Sequence, residues 1–373
     1  MDIRKDAGSF PKLILIYILW LVGCIFASGL FEVYFLGLGM SFQEIYLANT
    51  VWFFAGFVIA PLFNGFSTRN FMIVGVLIML AACTILYLFP SETAAYAYRI
   101  IIGFTHLFFW VPFNTLFYNF RKDNNAMISS VYYAVGPLLS LAVPAIGGLV
   151  AAFYGFEALY ISAIALFAAC LFATAVFIKN KKYKFKFSDA FNSLSGLRTM
   201  IFLEGFSINA IMSITIMILT LDYIDKPLEV GVFMSLTMIF SILATFVMAK
   251  ISDKIKKRKP FIIPVVVGIV LTAIITSQTT EIIGFFLAFG AMTFFIRLFY
   301  PLNLALVVDN ARSLPEAMIG REFMLNLGRF VGGFVGYVAF VAWNIQIALL
   351  IQGIALILII PLFELKKKKI VNQ

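Results

Sequence analysis

Charge is scarce in this chain. Asp, Glu, Lys and Arg together make up 12% of its 373 residues, whereas hydrophobic residues make up 62%. Soluble domains run at about 25% charged and about 45–50% apolar, so there is too little polar surface here for folding in water. Histidine occurs once and cysteine three times. Cys24, Cys83 and Cys170 are far apart, each within an apolar run, a distribution with neither a disulfide framework nor a metal-site spacing. They read as small apolar packing residues. The sequence contains no G-x-x-x-x-G-K-[ST] loop and no H-E-x-x-H pair, so nucleotide-driven pumping and zinc hydrolysis lack their usual residues. No cofactor or metal is expected. A cleavable signal peptide is not expected either, because Met1–Lys12 is polar and the apolar run after it is too long for an h-region.

Long apolar runs are what the chain does have. About 20 apolar residues suffice for a helix to cross a hydrocarbon core of about 30 Å, and such runs recur without the two-residue alternation of barrel strands. The pattern predicts twelve helices, at 13–36, 44–66, 71–89, 94–119, 127–153, 157–178, 200–222, 229–250, 261–278, 282–308, 318–343 and 345–364. The connections are short, so consecutive spans are antiparallel neighbours. The stretch "SFQE", 41–44, has the spacing of a capping box opening the second span.

Basic residues orient the bundle. One set of loops holds 24 of the 28 lysines and arginines, from Arg4, Lys5 and Lys12 through Lys179–Lys186 to Lys366–Lys369, and the opposite set holds only Lys226. Basic loops stay cytoplasmic, which places both termini in the cytoplasm. The short loops suit a plasma membrane. The net charge of +10 fits anionic headgroups at that surface. Being spread over many loops, it does not fit nucleic acid.

The longest polar connection, "KNKKYKFKFSDAFNSLSGLR", divides the spans six and six. The expected organisation is a tail at 1–12, a six-helix bundle at 13–178, a surface-lying linker at 179–199, a second six-helix bundle at 200–364 and a basic tail at 365–373. The halves echo one another: "PFN" at 112–114 answers "PLN" at 301–303, Ser67 answers Ser252, and Gly136 answers Gly328. Repeated six-helix units are a transporter architecture with the binding site between them.

Four motifs carry a family resemblance. "AKISDKIKKRKP", 249–260, resembles the Gly-x-Leu-Ala-Asp-Arg-x-Gly-Arg-Arg loop signature of the major facilitator superfamily, with Asp253 in the acidic position and Lys254, Lys257 and Arg258 in basic ones. "NGFSTRN", 64–70, is the first-half copy; Arg69 keeps its type, and Thr68 stands where the acid belongs. "RIIIG", 99–103, is similar to the Arg-x-x-x-Gly of the fourth span, and "VPAIGG", 143–148, to the Pro-x-x-Gly-Gly end of an exporter motif in the fifth. The resemblance implies two six-helix bundles that rock about a central cavity lined by spans 1, 4, 7 and 10, with the loop signature acting as a cytoplasmic gate latch.

A charge at bilayer depth costs about 2.5–3.5 kcal/mol on insertion scales, so it is paired or functional. The candidates are Glu32, Arg99, His106, Glu204, Arg297, Glu322 and Arg329. Glu32 and Arg99 fall at similar depth, near the outer ends of spans 1 and 4, and an ion pair between them is expected; it serves either structure or proton coupling. His106, Trp110 and Asn114 continue the face of Arg99. Arg297, with Tyr300 and Asn303, lies midway along span 10, and Arg329 midway along span 11. Glu322, Asn326 and Arg329 form one stripe, with the glutamate and arginine roughly 10 Å apart along the axis, too far for an easy bond. Asn209 adds an amide on span 7. Without a midplane acid to balance them, Arg297 and Arg329 give an electropositive cavity suited to a carboxylate or phosphate; the competing reading is an Arg329–Glu322 or Arg297–Glu204 structural network.

The expected function is secondary transport of a small solute, with an organic anion as the candidate class, by a monomer coupled to a proton gradient through Glu32, Glu204 or Glu322. Proton-coupled efflux of drug-like or neutral compounds is the alternative. A membrane-embedded enzyme is disfavoured by the missing catalytic cluster.

Overall fold

A computed structural model describes residues 10–121, 125–252 and 259–362, without the side chains of 120–133, 249–260 and 305. Among the described residues, eleven helical segments are long and apolar enough to cross a membrane, and one of these, Ala134–Phe177, has 44 residues. It is interrupted at Gly155, whose φ of +81° and ψ of 169° no helix contains. A Cβ placed on Gly147 would lie 3.7 Å from Leu159 Cδ1, although twelve residues of straight helix separate their ends by about 18 Å. The chain therefore turns back at Gly155, where glycine tolerates the positive φ.

With that division the spans are α1 (Phe10–Gly37), α2 (Phe42–Leu62), α3 (Thr68–Leu88), α4 (Glu92–Asn119), α5 (125–154), α6 (156–177), α7 (Arg198–Leu221), α8 (Pro227–Met248), α9 (Phe261–Gln278), α10 (Ile282–Asn310), α11 (Leu314–Ala342) and α12 (Ile345–Leu362). The all-α polytopic fold read from the sequence is the observed one, with ends displaced by a few residues. α1 already includes Phe10–Lys12, ahead of the expected residue 13, and Pro11 is compatible with a first helical turn. At α2 the capping box is formed: the Ser41 N–H donates to Glu44 Oε2 at 2.7 Å, and the Glu44 N–H to Ser41 Oγ at 3.3 Å. Helices are what the bilayer demands, since each satisfies its own backbone groups. The outside of the bundle is correspondingly apolar, with Phe153, Phe172 and Phe246 all more than 60% exposed.

Three spans depart from a regular helix. α1 loosens at Gly29–Leu30 between Phe10–Ser28 and Phe31–Gly37. α4 widens to a π-turn over His106–Trp110, immediately before Pro112, whose ring would otherwise press on the carbonyl four residues back. α7 carries two π-turns, Gly205–Asn209 and Ile211–Thr215. Such turns recur at functional sites because they redirect side chains.

The segment expected as a surface-lying linker is ordered. Gly65–Ser67 (β1) and Lys182–Lys184 (β2) form a two-stranded antiparallel ladder with Gly65 opposite Lys184. Thr68 locks it: its N–H donates to Lys181 O at 2.9 Å, its hydroxyl donates to Lys179 O at 3.0 Å, and that hydroxyl accepts the Lys181 N–H at 2.9 Å. The short helix Phe187–Ser193 then lies on α11, where Phe187 and Phe323 rings are 5.1 Å apart and Gly320 leaves room for Ala190 O. Alternating aromatics explain the difference, since Tyr183, Phe185 and Phe187 turn inward while the lysines between them stay exposed. We call this side, which carries the linker and the described chain ends, the basic end, and the opposite side the far end.

The first and second six-helix groups meet along α2 and α11 and along α5 and α8. Gly56 receives Asn326, and Gly333 receives Thr50 and Ile214. On the other flank Gly231 sits on Pro144 O, and Gly148 on Pro227 and Leu228.

Candidate functional site

Glu204 and Asn209 of α7, Asn303 of α10 and four residues of α11 form one network. The Glu204 carboxylate accepts from Asn303 Nδ2 and, at 3.2 Å, from Arg321 Nη2. Arg321 also donates to Glu322 Oε1 at 3.1 Å. Arg329 Nη1 donates to Asn326 Oδ1 at 3.0 Å and stands 3.9 Å from Glu322 Oε2, while its Nη2 donates to Asn209 Oδ1 at 3.0 Å. The amide nitrogens of Asn209 and Asn326 are spent on the Glu204 and Glu322 carbonyls, so both side-chain oxygens are fixed as acceptors for Arg329. The Asn209 bond depends on the first π-turn of α7, which ends at that residue.

Close helix packing makes this possible. Gly328 and Gly332 of α11 lie where a Cβ would come within 2.2 Å of Phe202 O and 2.1 Å of Phe206 O, and Gly205 of α7 answers with 2.3 Å to Leu325 O. The stretch "GRFVG" is a G-x-x-x-G face that lets two backbones approach. Arg329 lies between its glycines, so the same stretch delivers the arginine to the α7 interface.

Three features differ from what the sequence suggests. Arg321 was grouped with the loop cations, but α11 begins at Leu314 with Pro315 in its first turn, and Arg321 is an 11% exposed side chain bridging Glu204 and Glu322. The Glu322–Arg329 gap, expected to prevent contact, narrows to 3.9 Å because both side chains extend along the helix. Glu204 pairs with Arg321, not with Arg297.

Arg297 is half-buried on α10, with no ion pair or hydrogen bond among the described residues. Tyr300, one turn on, is within electrostatic reach of Arg297, Arg321, Arg329 and Glu204. Around Tyr300, α10 and α11 thus bring three guanidinium groups, at Arg297, Arg321 and Arg329, and among the described residues of this network the carboxylates are those of Glu204 and Glu322. Ser207 Oγ, Asn303 Oδ1 and Arg329 Nε are buried without a hydrogen-bond partner among the described residues.

The first six helices are electrically balanced at depth. Arg99 Nη2 donates to Glu32 Oε1 at 2.9 Å, and Asn49 Nδ2 donates to the same oxygen at 2.9 Å. The guanidinium sits 4.0 Å from the Phe31 ring and 5.1 Å from that of Trp52. Trp52 also stacks on His106 at 5.2 Å, so it separates Arg99 from His106. His106 in turn stacks on Phe53, whose ring lies 5.4 Å from the Arg329 guanidinium. Phe53 is therefore the bridge from the histidine to the second half. Trp110 is drawn instead into an aromatic group with Tyr17, Trp20 and Phe113, and Asn114 is buried in α4 beyond it. Of the gate motif, Arg69 is half-buried at the start of α3, and Asp253, Lys254, Lys257 and Arg258 lie outside the described residues.

Comparison with known proteins fits this architecture. The sequence profile of the Major Facilitator Superfamily matches residues 197–372. Among solved structures, the human organic anion transporter MFSD10 (TETRAN) superposes with a TM-score of 0.67 at 14% identity, covering 95% of this chain and 97% of that one. The nucleoside transporter NupG superposes with a TM-score of 0.62 at 15% identity, covering 94% of this chain and 98% of that one. A sequence search of curated proteins finds no match. The second half, residues 197–372, thus matches the Major Facilitator Superfamily profile, and the chain as a whole has the fold of those transporters over nearly their whole length.

Proposed function

We propose that this protein is a secondary active transporter that carries a small organic anion across the membrane by alternating access. The observation that carries the reading is Arg297. A guanidinium at bilayer depth is costly unless neutralised, and its neighbours Arg321 and Arg329 already engage the two carboxylates present. One monoanion balances the surplus. A carboxylate or phosphate on Arg297 would find Tyr300 and Asn303 alongside on α10, and Arg329 held in place by Asn209 and Asn326. Arg presents a planar fork that matches either anion. Substrate choice is argued from this charge count, since the structural neighbours span organic anions and nucleosides by name.

Proton coupling falls to the buried carboxylates. Glu204 touches α10 and α11 at once and is the group best placed to respond to an anion at Arg297; Glu32 and Glu322 are the other two. The basic end faces the cytoplasm of a plasma membrane in this reading, and a single chain is the working unit. The Pro-x-x-Gly-Gly segment of α5 is used in packing on α8, where Gly231 sits on Pro144 O, so it does not favour the efflux alternative by itself.

The test is a thermal-shift screen of the purified protein against organic anions, sugars, amino acids and cationic drugs, repeated with Arg297→Gln. A ligand of the native state raises its Tm. Stabilisation by monoanions that vanishes in Arg297→Gln supports the reading. Stabilisation only by neutral or cationic compounds, or an unchanged response in the variant, rejects it.

A further inference from the structure

The far end holds a second buried polar cluster that the transport site does not use. Tyr46 of α2, Thr215 of α7 and Gln352 of α12 are all fully buried. Tyr46 Oη and Thr215 Oγ1 are 2.9 Å apart, Thr215 Oγ1 donates to Gln352 Oε1 at 2.7 Å, and Gln352 Nε2 donates to Tyr46 Oη at 3.1 Å. The Thr215 proton is committed to Gln352, so the Tyr46 hydroxyl is the donor to Thr215. Each member then donates once and accepts once around a closed ring, in which hydrogen bonds polarise one another. The second Gln352 N–H goes to Gly332 O at 2.9 Å. The ring also requires Gly336, where a Cβ would lie 2.1 Å from Tyr46 Oη and 2.5 Å from Gln352 Nε2.

One member belongs to the first six helices and two to the second. Tyr46 lies in the second turn of α2, and Thr215 and Gln352 lie within about two turns of the far-end termini of α7 and α12. Beside the ring, an apolar cluster of Leu30 and Val33 (α1), Ala151 (α5), Leu159 (α6), Leu221 (α7) and Val230 (α8) closes the same end. Apolar contact excludes water but is not directional. The ring fixes which groups must separate.

We propose that the Tyr46–Thr215–Gln352 ring is the lock that holds the far end shut, and that its strength sets how often that end opens. Moving α2 away from α7 and α12 breaks both contacts of the Tyr46 hydroxyl in one step. In the open state water replaces them, so the ring favours the closed state alone, as a determinant of a two-state population must. The inference is independent of what the protein carries, and its test uses no ligand.

The experiment is hydrogen–deuterium exchange on the purified full-length protein, comparing the parent with Tyr46→Phe and Thr215→Val, both of which keep size and shape. Two buried hydrogen bonds of ordinary net strength correspond to about a tenfold change in a two-state equilibrium. Expected is about tenfold faster exchange in the far-end turns of α1, α2, α7 and α11, with the basic-end turns unchanged or more protected. The double variant should exchange no faster than Tyr46→Phe alone, because that change already removes both ring contacts between α2 and the second six helices. Unchanged exchange in Tyr46→Phe, additive effects in the double variant, or equal loss of protection at both ends would overturn the proposal; the last outcome would make the ring a general stabiliser.

Discussion

Arg329 of α11 and Asn209 of α7 are joined by a 3.0 Å hydrogen bond from Nη2 to Oδ1. Asn209 can only accept there, because its nitrogen is held by the Glu204 carbonyl at 3.1 Å. Arg329 is thus oriented by two neutral amides, Asn209 and Asn326, in addition to its 3.9 Å approach to Glu322 Oε2. Asn209→Asp keeps the size and the Arg329 contact, gives up the donation to the Glu204 carbonyl, and adds a third carboxylate to face the three arginines. Anion binding should weaken about tenfold or more while the fold is kept. Titration of anion-induced stabilisation checks this, and an affinity equal to the parent's would mean that Arg329 does not contribute charge to the site.

The α7–α11 contact should be intolerant of a single methyl group. A Cβ at Gly332 falls 2.1 Å from Phe206 O, and backbone cannot step aside as a side chain can. Gly332→Ala and Gly328→Ala should each destabilise by roughly 1–3 kcal/mol, the usual cost of overpacking, and should also displace Arg329. Gly284→Ala is the control, since its nearest neighbour is the Thr279 side chain at 3.6 Å; alanine is there the better helix former. Melting curves in detergent would separate the three.

Legibility followed chemistry more than position. Span existence and class were readable because apolar runs of bilayer length have few alternatives. The Glu32–Arg99 contact could be anticipated, since two opposite charges at equal depth on α1 and α4 have few other partners. Arg321 could not be placed by composition, because a cation two turns from a helix start counts as loop until the start is known. Its signal was Pro315. The G-x-x-x-G of Gly328 and Gly332 was present in the sequence and predicts close approach, although it does not say to which helix. The linker strand was also written in its alternation, "KYKFKF", which has the two-residue period of a strand. The π-turns of α4 and α7 had no such signal in α7, where no proline marks them, and they determine where His106 and Asn209 point.

The Glu32–Arg99 pair should show the asymmetry of buried ion pairs. Both side chains are under 5% exposed. Glu32→Gln strands the Arg99 charge among Phe31, Phe35 and Trp52, and Arg99→Gln strands the carboxylate. Each should cost roughly 3–5 kcal/mol. The double variant Glu32→Gln/Arg99→Gln should cost less than the two single changes combined, since it leaves no unpaired charge. Unfolding free energies from a denaturant series give the cycle; strict additivity would mean that the two charges are stabilised by other groups.

Thr68 decides whether the basic end is held by an ion-pair latch or by a backbone strap. The family signature would place an acid at this position, but the Thr68 hydroxyl both donates to Lys179 O at 3.0 Å and accepts from Lys181 N–H at 2.9 Å. A carboxylate can accept but not donate, and it would bring its charge against the Lys179 carbonyl oxygen. Thr68→Asp should therefore loosen the strap even though it restores the signature, and Thr68→Val should loosen it by removing both bonds. Thr68→Ser, which keeps the hydroxyl, should not. Each lost buried bond contributes about 0.5–1.5 kcal/mol, so tryptic cleavage among Lys179–Lys186 should accelerate about tenfold in the valine and aspartate variants when cleavage requires local opening. Slower cleavage in Thr68→Asp than in the parent would show that an acid here finds a cationic partner on the second half. The ladder would then be secondary to that pair.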